Sequence, residues 1–324
     1  MKRRARFQQT LASQAGFEKH ARKSKRALFL DQMEQVVPWA ELLALVAPYY
    51  PKTGNGRQPV GLEIMLRTYF LQQWFNLSDP GMEEAFYDSA ALRRFAGVDL
   101  GIAAAPDETT ILRFRHILEQ HALCGQMLDT VNLYLESKGI RISTGTIVDA
   151  TLINAPSSTK NASKARDPEM HQTRKGQQWY FGAKAHIGVD SKETVVHSVI
   201  TTAASVADAH MLPDLLHGKE KKVWGDAGYQ GQTEAIHEAA PDAQDMTNRR
   251  TKFKNHVDEE GKRKNRTKSR VRATVEWPFR ILKRVFGFIK VRYRGLKKNH
   301  EWLCAAFALV NLYQHRNRLA PQRA

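Results

Sequence analysis

Two periodicities divide the chain. From Ala27 to about Leu135, apolar residues recur three and four apart: Leu28, Phe29, Met33, Val36 and Val37, then Leu42, Leu43, Leu45 and Val46. That spacing predicts a block made of helices. Leu62 to Phe75 reads as its strongest helix, Ser78 or Asp79 with Pro80 opens another, and Asp107 caps a third. Pro51 to Arg57, rich in Gly and Asn, predicts a loop. The texture changes at Gly139. Thr146 to Ile153 is β-branched and apolar, as a central strand is. Tyr180 to Asp190 alternates, with Phe181, Ala183, Ala185, Ile187 and Val189 on one face and Lys184 and His186 on the other. Thr194 to Thr201 predicts a third strand, joined through a turn at Asp190, and Lys222 to Asp226 a short fourth. Asp208 is expected to cap a helix carrying Met211, Leu212, Leu215 and Leu216, with a further helix and a weak strand near Asp245 after it. Strands and helices in this order spell an α/β unit with a mixed sheet. The expected organisation is a basic arm over 1–26, a helical domain over 27–138 and an α/β domain over 139–318 with polar insertions near 155–175 and 248–268.

One stretch organises the rest. At 100° per residue, Val271, Val275, Phe279, Leu282 and Phe286 share one arc, and Arg272, Glu276, Arg280 and Lys283 share the next. One face packs on a core; the adjoining face carries a single carboxylate among cations. Pro278 lacks an N–H and crowds the carbonyl of Thr274, which predicts a kink there or a regular helix that starts near Trp277. Glu276 therefore sits at or just before a break.

Charge changes the picture. Of 324 residues, 50 are Lys or Arg and 33 are Asp or Glu, a formal charge of +17. Such an excess favours a polyanion, nucleic acid before an anionic membrane. The cations cluster: Met1 to Arg26 has nine against one acid, Arg249 to Arg272 eleven against three, and Trp277 to His300 eight against none. Two cysteines, Cys124 and Cys304, make no disulfide framework, so a reducing cytoplasm is expected. Trp302 to Tyr313 is too short to span a bilayer and reads as a buried helix.

Asp149 lies within an apolar strand and Asp226 at a strand end, where an ionised carboxylate is costly unless paired. Singly, Asp226 reads as a turn residue, Asp149 as a salt-bridged buried acid and Glu276 as an ion-paired surface residue. Together, three acids converging on one site repel one another, and a pair of Mg²⁺ or Mn²⁺ ions turns that repulsion into binding. Two such ions stabilise both the attacking and the leaving oxygen of a phosphodiester displacement. Lys184 and His186 are weaker candidates for phosphate contact. No Gly-rich phosphate loop is present.

Val148 to Thr151, Phe181 to Asp190, Asp226 to Gly231 and Arg272 to Lys283 closely resemble the DDE transposases of bacterial insertion sequences, nearest to the insertion sequence five family. Gly61 to Asp107, with Asn76-Leu-Ser-Asp79, and Arg113 to His116 resemble that family's N-terminal domain. The resemblance implies a ribonuclease H-like catalytic domain. It implies Asp149, Asp226 and Glu276 as a metal-binding catalytic triad for two Mg²⁺ or Mn²⁺ ions, and Arg272 and Lys283 as phosphate contacts beside Arg280. The family's last motif runs Tyr, Arg, Glu, Lys; here Ser269 stands where the Tyr would be. The implied partners are double-stranded DNA, as terminal inverted repeats and target, and a second copy of the chain. The helical domain is left with two roles open, DNA contact through a helix-turn-helix-like element or a dimer surface.

Overall fold

A computed structural model of the chain describes residues 22–55, 58–253 and 256–320. Most of the expected basic arm lies outside those residues. Ser24 accepts a hydrogen bond from the Ala27 amide and starts α1 (Lys25–Val36), followed by α2 (Trp39–Val46). The strong helix is α3 (Leu62–Phe75), buried on nearly every side from Met65 to Trp74, so it forms the centre of the helical block. Ser78 caps α4 (Asp79–Asp88) with Pro80 in the first turn, and Ser89 caps α5 (Ala90–Ala96). Asp107 accepts from the Thr110 amide at 2.7 Å and caps α6 (Glu108–Gln120), which leads to α7 (Leu123–Ser137).

The sheet follows. β1 (Gly145–Asn154) pairs antiparallel with β3 (Gln178–Asp190), and β3 pairs antiparallel with β4 (Val196–Ala203). On its other side β1 runs parallel to β5 (Lys222–Trp224), and β5 parallel to β6 (Gln244–Asp245), with α8 (Thr233–Ala239) between them in the chain. β2 (His171–Lys175) lies in the segment expected to be a polar insertion, yet it forms a hairpin with the first residues of β3. Its residues are almost all exposed, so it lacks the apolar alternation that marks a strand with a buried face. Two further corrections follow from local chemistry. Asp208 caps no helix; it is the first residue of a short 3-10 turn, Asp208–Met211, and its carboxylate pairs with Lys184 instead. The basic stretch before Val271 is itself helical, α9 (Glu259–Arg272), capped by Asp258; none of its residues is buried, so no apolar stripe announced it.

From Arg272 the backbone stays right-handed through a 3-10 turn (Ala273–Val275), α10 (Glu276–Arg280) and a π turn (Ile281–Val285). Pro278 is accommodated by these changes of pitch rather than by one sharp kink. The expected apolar arc is met, with Val275, Leu282 and Phe286 buried.

The last helix, α11 (Leu296–Leu319), is buried from Trp302 to Leu312 and holds the two expected domains together. One apolar cluster runs without interruption from Leu30 in α1 to Leu312, taking in Ile147, Ala185, Ile187 and Val189 from one face of the sheet. A smaller cluster, including Val148, Leu212, Val223 and Tyr229, covers the other face. The two parts are also clasped by polar contacts. Asn76 closes α3 at φ +52° and donates to the Gly287 carbonyl at 3.0 Å, while Arg292 donates to the Asn76 carbonyl at 2.7 Å. Arg115 donates to Asp79 and Glu119, each at 2.9 Å, with its guanidinium 3.9 Å above the Tyr293 ring.

α11 also covers the outer edge of the sheet. Asn311 is fully buried; its side chain accepts from the Val196 amide at 2.9 Å and donates to the Val196 carbonyl at 2.8 Å. Asn311→Ala would strand the Val196 amide inside the protein and leave the Val196 carbonyl to the Asn132 side chain at 3.1 Å, so we expect a loss of about 2 kcal/mol. Urea unfolding of the two proteins measures it, and an unchanged midpoint would refute the assignment.

Candidate active site

Asp149 stands midway along β1, opposite Ile187 of β3. One carboxylate oxygen accepts from the Ala150 amide at 2.8 Å, and the other from Nη1 of Arg272 at 3.1 Å. Burial pushes its pKa up to about 6. The Ala150 amide and Arg272 pull it down, and the neighbouring Asp226 and Asp208 push it up again. Asp226 follows β5, the strand parallel to β1, and its Oδ1 accepts from the Gly228 amide at 2.7 Å. It thus has the turn role its sequence context suggests as well as a place beside Asp149.

Asp149, Asp226 and Asp208 line one cleft of about 250 Å³, joined by Lys184 and by Arg174 and Lys175 from β2. Asp208 was not among the expected site residues. Lys184 Nζ lies 2.8 Å from its carboxylate and donates to the Val206 carbonyl at 2.7 Å, which fixes both side chains in the cleft wall. His186 has no exposed surface, and its Nε2 lies 2.8 Å from the Thr202 hydroxyl. Burial lowers its pKa to about 4, so it is neutral at pH 7. The phosphate contact expected of His186 is therefore not available from this position.

The helix beyond Arg272 carries the remaining candidates. Glu276 is exposed and does not line the cleft. The right-handed backbone between Arg272 and Glu276 puts the two four residues apart, one turn and about 6 Å along the axis. Arg272 touches Asp149; Glu276 sits one turn further on. Among the described residues no three His, Cys, Asp or Glu side chains are grouped closely enough to hold a metal ion. The fold thus brings two members of the expected triad together in the cleft and leaves the third, Glu276, outside its lining. Lys283 Nζ donates to the Leu152 carbonyl at 2.7 Å, and Arg280 lies over the exposed Trp277 ring at 5.2 Å. Ser269 accepts from the Asn248 side chain at 3.0 Å.

Tyr229 is a site residue that sequence reasoning passed over. It is wholly buried, and its hydroxyl has no hydrogen-bond partner among the described residues. Burial raises its pKa, and Asp208, Asp149 and Asp226 raise it further, so the ring ends beside the acids. A Cβ on Gly225 would come within 3.0 Å of that ring, so glycine lets Tyr229 fold back under Asp226. The run Asp226-Ala-Gly-Tyr229 was the available signal.

Residues 141–312, more than half of the chain, match the family described as Transposase DDE domain. The chain belongs to the DDE transposase family. Residues 17–117 match a second transposase family, described as Transposase domain (DUF772). No solved structure matches the chain. In this transposase the first match takes in Asp149, Asp226, Arg272, Glu276 and Lys283, and the second takes in most of the helical block. No helix among the described residues is long and apolar enough to cross a membrane.

The raised pKa of Asp149 has a consequence for stability. Its folded-state value, about 6, exceeds the ordinary 3.8, so its contribution is full below about pH 4 and is lost as pH rises through 6. Without divalent ions, Asp149→Asn is expected to melt about 2–4 °C above the wild type at pH 8 and at the same temperature near pH 4. Thermal melts followed by circular dichroism test this; a variant less stable than wild type at pH 8 would contradict it.

Proposed function

We propose that the protein is a transposase of the insertion sequence five type. It binds the terminal inverted repeats of its element, hydrolyses a phosphodiester at each end and joins the freed 3′-OH to target DNA. The observation that carries this reading is the convergence of Asp149 and Asp226 from two parallel neighbouring strands, with Arg272 reaching Asp149 from the end of α9, one 3-10 turn before Glu276. The sheet order β4-β3-β1-β5-β6, three antiparallel strands followed by two parallel ones, supports a ribonuclease H-like catalytic domain.

The donor set suits hard divalent cations. It offers carboxylate oxygens only, and the Asp149 pKa, raised by burial and by two neighbouring acids, is what a cation would relieve. Asp149, Asp226 and Glu276 would hold two Mg²⁺ or Mn²⁺ ions, which when bound supply Lewis-acid polarisation of the phosphate and acidify water. Glu276 has to turn into the cleft, and it stands where the 3-10 turn passes into α10, a point at which the backbone changes pitch.

The protein's own groups do the rest. Arg272, Lys283, Arg280 and Lys184 neutralise phosphates on either side of the scissile bond, each steepening the salt dependence of binding by about 0.9 log units per log unit of salt. Water attacks phosphorus and the bond to the 3′ oxygen breaks. That 3′ oxygen, kept in the same cleft, then attacks a target phosphorus, the target's own bond from phosphorus to its 3′ oxygen breaks and a target 3′-OH leaves with the proton, so no protein–DNA bond forms. Two ends must meet, which calls for two copies of the chain in the DNA complex. Both cysteines are buried and free, in keeping with a reducing cytoplasm.

Incubation with pre-cleaved element ends, a supercoiled plasmid and Mg²⁺ should yield joined products. Asp226→Asn and Glu276→Gln should each reduce joining by at least about a thousandfold, the scale on which charge-stabilising groups act. Nicked plasmid without joined product would indicate a nuclease, and joining by Asp226→Asn at the wild-type rate would sink the triad.

A further inference from the structure

The β2–β3 hairpin projects beside the catalytic cleft, and the proposed chemistry leaves it without a task. Its turn is two residues long, with Gly176 at φ +62° in the first central position, the arrangement of a tight type II′ hairpin. Arg174 donates to the Gly176 carbonyl at 3.1 Å and to the Gln177 side chain at 2.6 Å, which stiffens the tip. No acid occurs between Glu169 and Asp190.

The two faces of the hairpin differ. Arg174 lies directly opposite Trp179, so the two share a face. Trp179 is 63% exposed, an unusual setting for the largest apolar side chain. Lys175, paired with Gln178, is on the opposite face, and it and Arg174 both line the cleft with Asp149 and Asp226, whereas Trp179 does not. Lys283 approaches the same cleft from beyond Glu276, its Nζ bonded at 2.7 Å to the carbonyl of Leu152, which lines the cleft with Lys175. Burial lowers the Lys283 pKa, and the charge of Lys175 lowers it further. Neither lysine has an ion-pair partner among the described residues. The acids of the cleft are bonded to other groups, so two lysines facing it with no ion pair can take up an anion, and the one that suits this cleft is a backbone phosphate next to the reacting one.

We propose that the β2–β3 hairpin is a clamp for an unpaired DNA strand: Lys175 and Lys283 share one phosphate, and Trp179 stacks on a base of the strand as it leaves the cleft, with Arg174 beside it. The inference rests on the transposase reading above and adds the path of the cut strand. An indole at the side of the cleft reaches a base that has left the duplex and not one stacked within it, so the clamp favours a frayed or tailed end over a blunt duplex. A protein or membrane partner would not require the phosphate site to adjoin the acids.

The test is fluorescence anisotropy with two element-end duplexes, one blunt and one with a short unpaired 3′ tail, in Ca²⁺ to prevent cutting. Wild type should bind the tailed duplex about tenfold more tightly. Trp179→Ala should lose that preference while keeping its affinity for the blunt duplex, and Trp179→Phe should retain most of it. Lys175→Ala should weaken both and flatten the salt slope by about 0.9. Matching melting temperatures for the variants guard against misfolding. Wild type that binds neither duplex would overturn the transposase reading together with the clamp. Wild type that binds DNA while Trp179→Ala keeps the full preference would overturn the clamp alone.

Discussion

Two like charges held close in a half-buried cleft set the terms for the rest of this protein. Asp149 and Asp226 come from parallel neighbouring strands, so their separation is fixed by the sheet and not by side-chain choice. Asp208 adds a third negative charge from a turn on the same wall. The fold relieves the repulsion piecemeal: Arg272 on Asp149, Lys184 on Asp208 and a backbone amide on Asp226. Burial, more than the neighbouring acids, still holds the Asp149 pKa above its ordinary value, because a carboxylate away from water is costly even when partnered. A cleft so charged is expensive in an empty protein and becomes favourable only when cations and a polyanion enter it together.

The helical block bears on this cleft through mechanics rather than through contact. α11 shares its core with α1, α3 and α7 and with the sheet, and Asn76 and Arg115 grip the segment from Gly287 to Tyr293 that follows the π turn. That segment is bonded to the end of β1, where Val291 donates to the Asn154 carbonyl at 2.8 Å. The right-handed run from Arg272 through Glu276 to Lys283 is therefore fixed at its far end by the N-terminal block. Any movement of Glu276 toward the acids has to occur near the 3-10 turn, between two anchored ends.

Much of this was legible in the residues. Caps at Ser78 and Asp107, the apolar arc from Val271 to Phe286 and the alternation of β3 rest on local chemistry that tertiary packing had no reason to override. β2 and α9 were not legible as elements, because neither buries a face and hydrophobic periodicity is silent about such segments. Asp208 looked like a cap because its pairing with Lys184 joins residues 24 positions apart, which no local pattern encodes. His186 looked available because alternation gives a face and not a depth; β4 beside it closes over that face through Thr202. Domain boundaries read from texture missed the shared core, since α11 comes last in sequence and packs against the first helices.

The covered edge at β4 limits how copies of this chain can assemble. An open edge strand offers a row of amides and carbonyls to any other strand, and two proteins can fuse their sheets along it. Here α11 runs beside β4, with His300 against Thr201, Asn311 on both polar groups of Val196 and Gln314 on the Thr194 carbonyl. A continuous sheet through two subunits is closed off on that side, so copies that gather on one DNA molecule have to meet through helical surfaces or through the nucleic acid itself.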